Sequence, residues 1–211
     1  MSSLSEIKIR RCIKPPNFEV SSIELHHFAD TSTSGYGVCS YLRLIDGNGF
    51  ISVSLVFAKS RVFPSKPVTV PRHELTAAVL AVRCSVMLEK EFKFSVSVKH
   101  FFYTDNTVVL GYISNSTRRY QTFVAKFVGT IQYLTSVSQW SHVSGKDNPA
   151  DFASRGCSPE MLSNSIWFQG PSFLHKKGIF EHTLLYYPIP EGDENIRKNV
   201  VCNVVSVDEN L

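Results

Sequence analysis

Four carboxylates stand out by their positions. Asp30 closes the run "SSIELHHFAD", Glu74 begins "ELTAAVLAVRCSVMLEKEF", Asp105 ends "VSVKHFFYTD", and Asp151 lies in "NPADFASRG". Each has an ordinary reading on its own. Asp caps turns and helices, and Glu in a first helical turn complements the helix dipole. Together they have another, because the carboxyl ends of the strands in an α/β sheet share one edge. Acids gathered there repel one another and raise each other's pKa. Divalent cations offset that repulsion, and an all-oxygen ligand set suits Mg²⁺ or Mn²⁺. Two such ions about 3.5–4 Å apart activate a water and stabilise the leaving oxygen in phosphodiester cleavage. "ADTSTSG" also approaches the catalytic turn of an aspartic protease, but Asp30-Thr31-Ser32 lacks the glycine of that turn.

The elements that must position these acids follow from hydrophobic periodicity. "SSIELHHFAD" reads as a strand, apolar at Ile23, Leu25 and Phe28. Two β-rich runs flank Asp46-Gly47-Asn48-Gly49, residues that accept the positive φ of a hairpin turn, so three antiparallel strands are expected by Ala58. A proline-broken connection, "SRVFPSKPVTVPR", leads to a helix opened by Glu74, with Leu75, Val79, Val82 and Val86 at helical spacing. Asp105 ends a fourth strand and a short helix starts at "NTVVLGYI". A longer helix presents Phe123, Phe127, Ile131 and Leu134 on one face, "VSQWSHVSG" is a fifth strand, and Asp151 enters a last helix. The fold class predicted is α/β: a five-stranded mixed sheet, three antiparallel strands then α/β units, with helices on both faces. Its helices do not suit the all-β scaffold of an aspartic protease.

Bulk properties narrow the function classes. With 211 residues, 43% hydrophobic and 19% charged, the chain can bury one core of ordinary size and is not a disordered segment. A net charge of +4 is compatible with a polyanionic partner without requiring one. Five scattered cysteines form neither a CxxC pair nor a zinc spacing, the pattern of reduced thiols in an intracellular protein, cytoplasmic or nuclear. No apolar run reaches the roughly 18 residues of a membrane span, and no signal-peptide core precedes the first strand. The expected organisation is a basic lead-in over residues 1–21, a domain over 22–175, and a polar tail over 176–211.

"ELHHFADTSTSGYGVCSYLR", "VPRHELTAAVLAVR", "FFYTDNTVVLGYI" and "WSHVSGKDNPADFASRG", followed by "SIWFQGPSFL", resemble the ribonuclease H region of BEL/Pao-type LTR-retrotransposon polyproteins. That region is often labelled a Pao peptidase region. The resemblance spans roughly residues 22–175, in order. It implies a ribonuclease-H-like fold that hydrolyses the RNA strand of an RNA–DNA hybrid, using two Mg²⁺ or Mn²⁺ ions at Asp30, Glu74, Asp105 and Asp151. His142 in "SHVSG" corresponds to the mobile-loop histidine that shuttles protons or aids product release, with a structural role its alternative. Thr31 and Asn106 stand where these elements usually carry Ala and Ser, changes that leave the acids in place. A reverse transcriptase domain of the parent polyprotein is the implied protein partner. The chain carries no polymerase, protease or integrase block, so a fragment, a decayed copy or a domesticated remnant is expected, and a catalytically inactive scaffold or nucleic-acid-binding remnant is the alternative function.

A hybrid is recognised through backbone shape and 2′-hydroxyls more than through bases. Arg72, Lys146 and Arg155 near the acids are candidate phosphate contacts, as are Arg118, Arg119 and Lys126. Asn106 and Asn148 are candidate donors to sugar or backbone. A solvated charged surface explains the same Lys and Arg residues. Trp140 and Trp167 read as packing anchors, with base stacking the alternative.

Overall fold

The structure, a computed structural model, describes residues 9, 12–63, 69–92, 97–178 and 187–197. Residues 1–8, 10 and 11 of the basic lead-in, part of the proline-broken connection and the final "VVCNVVSV" stretch lie outside the described residues. Three long strands come first: β1 (Val20–Thr31), β2 (Gly35–Asp46) and β3 (Ile51–Val62). Then follow α1 (Val70–Phe92), β4 (Val98–Thr104), α2 (Thr107–Ser114), α3 (Thr122–Leu134), β5 (Trp140–His142), α4 (Ala150–Arg155) and α5 (Pro159–Ser163). The sheet order is β3-β2-β1-β4-β5, with β1 antiparallel to β2, β2 antiparallel to β3, and β1-β4 and β4-β5 parallel. The predicted mixed five-stranded sheet is the one observed. Among the described residues no helix is long and apolar enough to cross a membrane.

The hairpin turns form where the sequence supplies their chemistry. Asp46 Oδ1 accepts from the backbone N–H groups of Asn48 and Phe50, and Gly49 takes φ 78°. Ser32 closes the other turn, its Oγ accepting from the N–H of Ser34 and Gly35.

Side chains alternate across the sheet, so β1 faces two layers at once. Ala29 packs with Val38, Phe102 and the α1 residues Leu75, Ala78 and Val82. Phe28 packs on the opposite face with Tyr41, Tyr103, Val143, Ala150 and Leu174. Hence α1 covers one face, and α4 with the 172–175 turn covers the other. Polar residues of β1 and β2 are buried as well: Arg43 Nη1 donates to Glu24 Oε2 at 2.7 Å, and His26 Nε2 lies 3.1 Å from the same oxygen. The remaining guanidinium donors reach the carbonyls of Leu174 (2.7 Å) and Lys176 (2.8 Å), tying the segment after α5 to the sheet.

Four details differ from the sequence reading. β3 runs four residues beyond Ala58, because the Lys59–Val62 backbone continues to pair with Gly35–Val38. α1 starts at Val70, not Glu74, and Val86 faces solvent at 46% exposure while Ala78, Ala81, Ser85 and Leu88 complete the buried stripe. In α3 the buried residues are Val124, Val128 and Ile131; Phe123 and Phe127 stack on each other at the rim and Leu134 is exposed. The fifth strand shrinks to three residues, since Val137–Gln139 and Gly145–Asp147 each form a 3₁₀ turn on either side of it.

Residues 187–197, expected as part of a tail, form a strap across the helices. Ile189 and Asn195 are buried, and Ile196 bridges to Tyr120. The Asn195 side chain accepts from Arg72 Nε at 2.7 Å and donates to the Tyr112 hydroxyl at 3.2 Å.

Candidate active site

Parallel pairing of β1 with β4 places Phe28 opposite Tyr103, and their rings stack at 4.6 Å. Two residues further along each chain stand Asp30, still within β1, and Asp105, just past the end of β4. The two strand-end acids therefore share the carboxyl edge of the sheet, on adjacent strands. Gly37 pairs with Asp30 across β1–β2, and a Cβ there would lie 2.5–2.7 Å from Ala153 and the Ser154 nitrogen. Only glycine lets α4 press against β2 at this point, and that contact brings Asp151 and Ser154 to Asp30. Ser154 Oγ donates to Asp30 Oδ2 through a short hydrogen bond, and Ser32 Oγ donates to the Ser154 carbonyl at 2.8 Å. Glu74 reaches the same edge from α1, its Oε1 accepting from Thr31 Oγ1 at 2.7 Å.

Three of the four ordinary readings lose their basis here. Asp30 caps no turn, because Ser32 does. Asn106, not Asp105, is the N-cap of α2, accepting from Val108 and Val109. Glu74 lies beyond the first turn of α1, too far in to serve the dipole. Asp151 does not cap α4, whose N-cap is Pro149, but as an acid in the first turn of that helix it still complements the helix dipole.

Electrostatics couple the acids. Burial pushes the Asp30 carboxyl up to about 6; Asp105 and Asp151 add to the rise, and Ser154 and Arg155 oppose it. Burial likewise pushes Glu74 up to about 8, with Asp105 and Asp30 adding and Thr31 opposing. Asp105 is also raised by burial, with Asp151 adding, while its own backbone N–H, His142 and Arg155 pull the other way. A raised carboxyl pKa means that the folded chain holds its proton more tightly than the unfolded one. The associated stability is complete below the unfolded values of 3.8 and 4.5 and is lost as pH climbs through about 6 and about 8. In chelator, Tm should fall between about pH 5 and pH 8, by a free energy on the order of 2–4 kcal/mol. Glu74→Gln should flatten that decline. A melting series showing no difference between Glu74→Gln and wild type across this range would refute the coupling.

The donors fit a hard cation in kind. All four acids offer only carboxylate oxygen, and Glu74 Oε2 is buried without a hydrogen-bond partner. Among the described residues, no three His, Cys, Asp or Glu side chains are gathered closely enough to hold an ion as they stand. Each of three acids instead has an oxygen engaged by a protein donor: Asp30 by Ser154, Glu74 by Thr31, and Asp151 by Arg155.

The other sequence candidates separate into two groups. His142 ends β5, exposed and not buried, with Nε2 3.2 Å from the Asp105 carbonyl oxygen. Lys146 and Arg155 are exposed beside the acids, Arg155 paired with Asp151. Arg72, Asn106 and Asn148 are spent on the framework. Arg72 holds Asn195 and lies over the Phe123 ring at 5.8 Å. Asn106 caps α2, and the buried Asn148 donates to the Ala29 carbonyl at 3.1 Å and accepts from the Ala150 N–H. Trp140 stacks on Phe102 at 4.9 Å and Trp167 meets Phe152 edge-on, both as packing anchors. Sequence reasoning missed Thr31 and Ser154 as donors to the acids. For Ser154 a signal existed: it stands three residues after Asp151, one turn along the same helix.

The sheet order and the helices on both faces define a ribonuclease-H-like domain. The sequence profile described as "Pao retrotransposon-like RNaseH-like domain" matches residues 1–106, and the chain belongs to that family. No curated protein sequence matches the chain. Solved structures similar to it include the N-terminal RNase H domain of a Mycobacterium tuberculosis protein fused to maltose-binding protein, at 13% identity and TM-score 0.43, covering 63% of this chain and 94% of that one. Another is RNase H1 from the halophilic archaeon Halobacterium salinarum, at 14% identity and TM-score 0.40, covering 69% and 100%. A third is LC11-RNase H1 in complex with an RNA/DNA hybrid, at 12% identity and TM-score 0.41, covering 63% and 93%.

Proposed function

We propose that the domain is a ribonuclease H that cleaves the RNA strand of RNA–DNA hybrids internally, with two Mg²⁺ or Mn²⁺ ions held by Asp30, Glu74, Asp105 and Asp151. The observation that carries this reading is the adjacency of Asp30 and Asp105 at the ends of paired parallel strands, with Asp151 and Glu74 electrostatically coupled to both. When bound, the cations neutralise the scissile phosphate and lower the pKa of an attacking water. The chain's own residues do the rest. Thr31 and Ser154 fix the rotamers of Glu74 and Asp30. Arg155 neutralises Asp151 in the free protein, and turns to a substrate phosphate once Asp151 is engaged elsewhere. Lys146 adds a second cation at that rim. His142, exposed against the Asp105 backbone, takes or delivers a proton at the edge. A reverse transcriptase domain of the parent polyprotein is the natural neighbour for such a domain.

A non-catalytic module of the same fold is the second reading, and the dispersed acid side chains favour it. The deciding measurement is cleavage of an end-labelled RNA–DNA hybrid with Mg²⁺, with Mn²⁺ and with chelator, read beside the Tm shift each ion produces. Divalent-dependent cutting of the RNA strand, with a Tm rise larger near pH 8 than near pH 5, supports the nuclease. Absence of both supports the scaffold.

A further inference from the structure

Three consecutive residues near the start of α1 reach three different parts of the molecule. Glu74 Oε1 accepts from Thr31 of β1 at 2.7 Å. The His73 ring stacks on Phe63, just past the end of β3, at 3.6 Å between centroids. Arg72 Nε donates to Asn195 Oδ1 of the strap at 2.7 Å. Successive helical residues project about 100° apart, so the opening of the helix is gripped from three sides. Without such grips a helix start frays, because its first N–H groups lack intrahelical partners. Asn195 makes the strap side of the grip specific. It is 1% exposed, and its Nδ2 donates to the Tyr112 hydroxyl at 3.2 Å and to Asp193 Oδ1 at 2.9 Å. Its own N–H donates to Asp193 Oδ1 at 2.8 Å, and its carbonyl accepts from the Gln121 N–H at 2.7 Å, at the N-cap of α3. One residue thereby joins the openings of α1 and α3 to the middle of α2. Ile189 already supplies apolar cover for these helices. A buried amide costs free energy unless every group is paired, so Asn195 adds a single permitted seating for the strap.

We infer that Asn195 is a positioning residue for Glu74: by holding Arg72 it fixes the opening of α1, and with it the place of the Glu74 carboxylate at the acid edge. The inference rests on the nuclease reading for what Glu74 does there, not for the coupling itself. Asn195 acts only through the helix. Glu74 follows Arg72 by two residues on one continuous helix, and Thr76 Oγ1 donates to the Arg72 carbonyl at 2.8 Å, so the backbone on either side of Glu74 is tied together. Loss of the strap contact frees one of the three sides and leaves Glu74 held by Thr31 alone beyond the His73 stack. On this view residues 187–197 are a working part of the domain.

Two variants of the full chain loosen the strap by different routes. Asn195→Ala removes the amide. Gly111→Ala leaves Asn195 and Arg72 in place, but its Cβ would lie 2.9 Å from the Tyr187 carbonyl oxygen and 3.1 Å from Ile189 Cγ1, so the strap must lift. Alanine is otherwise the better helix former, so a loss there comes from the displaced strap. Cleavage of an end-labelled RNA–DNA hybrid under Mg²⁺ is measured beside amide hydrogen exchange of the metal-free protein. Both variants should lower kcat about tenfold or more and leave KM within about threefold, since a misplacement of about 1 Å can cost about 10²-fold in rate. The His73, Glu74 and Leu75 amides should exchange about tenfold faster, and those of β1 and β4 at the wild-type rate. Arg72→Leu should match Asn195→Ala, and the double variant should lose no more than either, as residues acting through one contact do. Wild-type kcat and wild-type exchange at 73–75 in both variants would overturn the inference. So would exchange that rises equally in the sheet, the mark of general destabilisation. If the wild type itself does not cut, the nuclease reading falls, and the exchange pattern alone decides the coupling.

Discussion

Asp105→Asn is expected to reduce divalent-dependent cleavage of the hybrid by a factor on the order of 10³ or more, with no loss of folded stability. The first part follows from what the residue supplies. Amide oxygen is a neutral and weaker ligand, and charge stabilisation by a bound cation contributes several kcal/mol to such a step, each ~1.4 kcal/mol being tenfold in rate. The second part follows from the local electrostatics. Burial and the neighbouring Asp151 already disfavour the charged form of Asp105, so a neutral side chain of equal size relieves repulsion instead of creating it. Cleavage rate and Tm measured on the same preparation check both halves. Equal rates for variant and wild type under Mg²⁺ and Mn²⁺ would show that Asp105 is no part of a reacting centre, and would leave the scaffold reading.

Arg43→Ala should cost about 3–5 kcal/mol of stability, a large fraction of the roughly 5–15 kcal/mol that keeps an ordinary domain folded. Arg43 is fully buried, and its guanidinium donates to Glu24 and to the carbonyls of Leu174 and Lys176. Removing it strands the Glu24 carboxylate inside the protein; burial opposes its charge, while His26 and Arg43 hold its pKa low. The buried Leu174 carbonyl and the partly buried Lys176 carbonyl lose a donor at the same time. The companion change Arg43→Met/Glu24→Gln, which removes both charges, should recover much of the loss. Urea unfolding of the three proteins measures the difference. If Arg43→Ala alone stays within about 1 kcal/mol of wild type, the network is not a determinant of the fold.

The hairpins and the long helix are legible in the sequence because their determinants are local. Asp46-Gly47-Asn48-Gly49 carries its own turn chemistry, and a helix of alanine, valine and leucine announces itself by period. The strand-end acids are legible because β1 and β4 each finish an apolar run on an aspartate. Less legible is whatever depends on distant contacts. The buried face of α3 is offset by one residue at its start, since Arg72 lies over the Phe123 ring and Phe127 stacks on Phe123 at the rim. Glu74 looks like a helix opener because Val70–His73 add no periodic signal of their own. Nothing local in the sequence marks Glu24, His26 and Arg43 as buried, yet β1 is covered on both faces and they satisfy one another inside. The strap is polar enough to pass for a tail because much of its attachment is made by hydrogen bonds, with Asn195 at their centre.

That attachment bears on how the polypeptide matures. The Arg72–Asn195 and Tyr112–Asn195 contacts join positions 123 and 83 residues apart. During synthesis, the sheet and its first three helices leave the ribosome before their clasp exists, and the front of α1 stays unfastened until the final stretch emerges. Contacts of such long sequence separation form slowly, so refolding should show the strands assembling before this late closure.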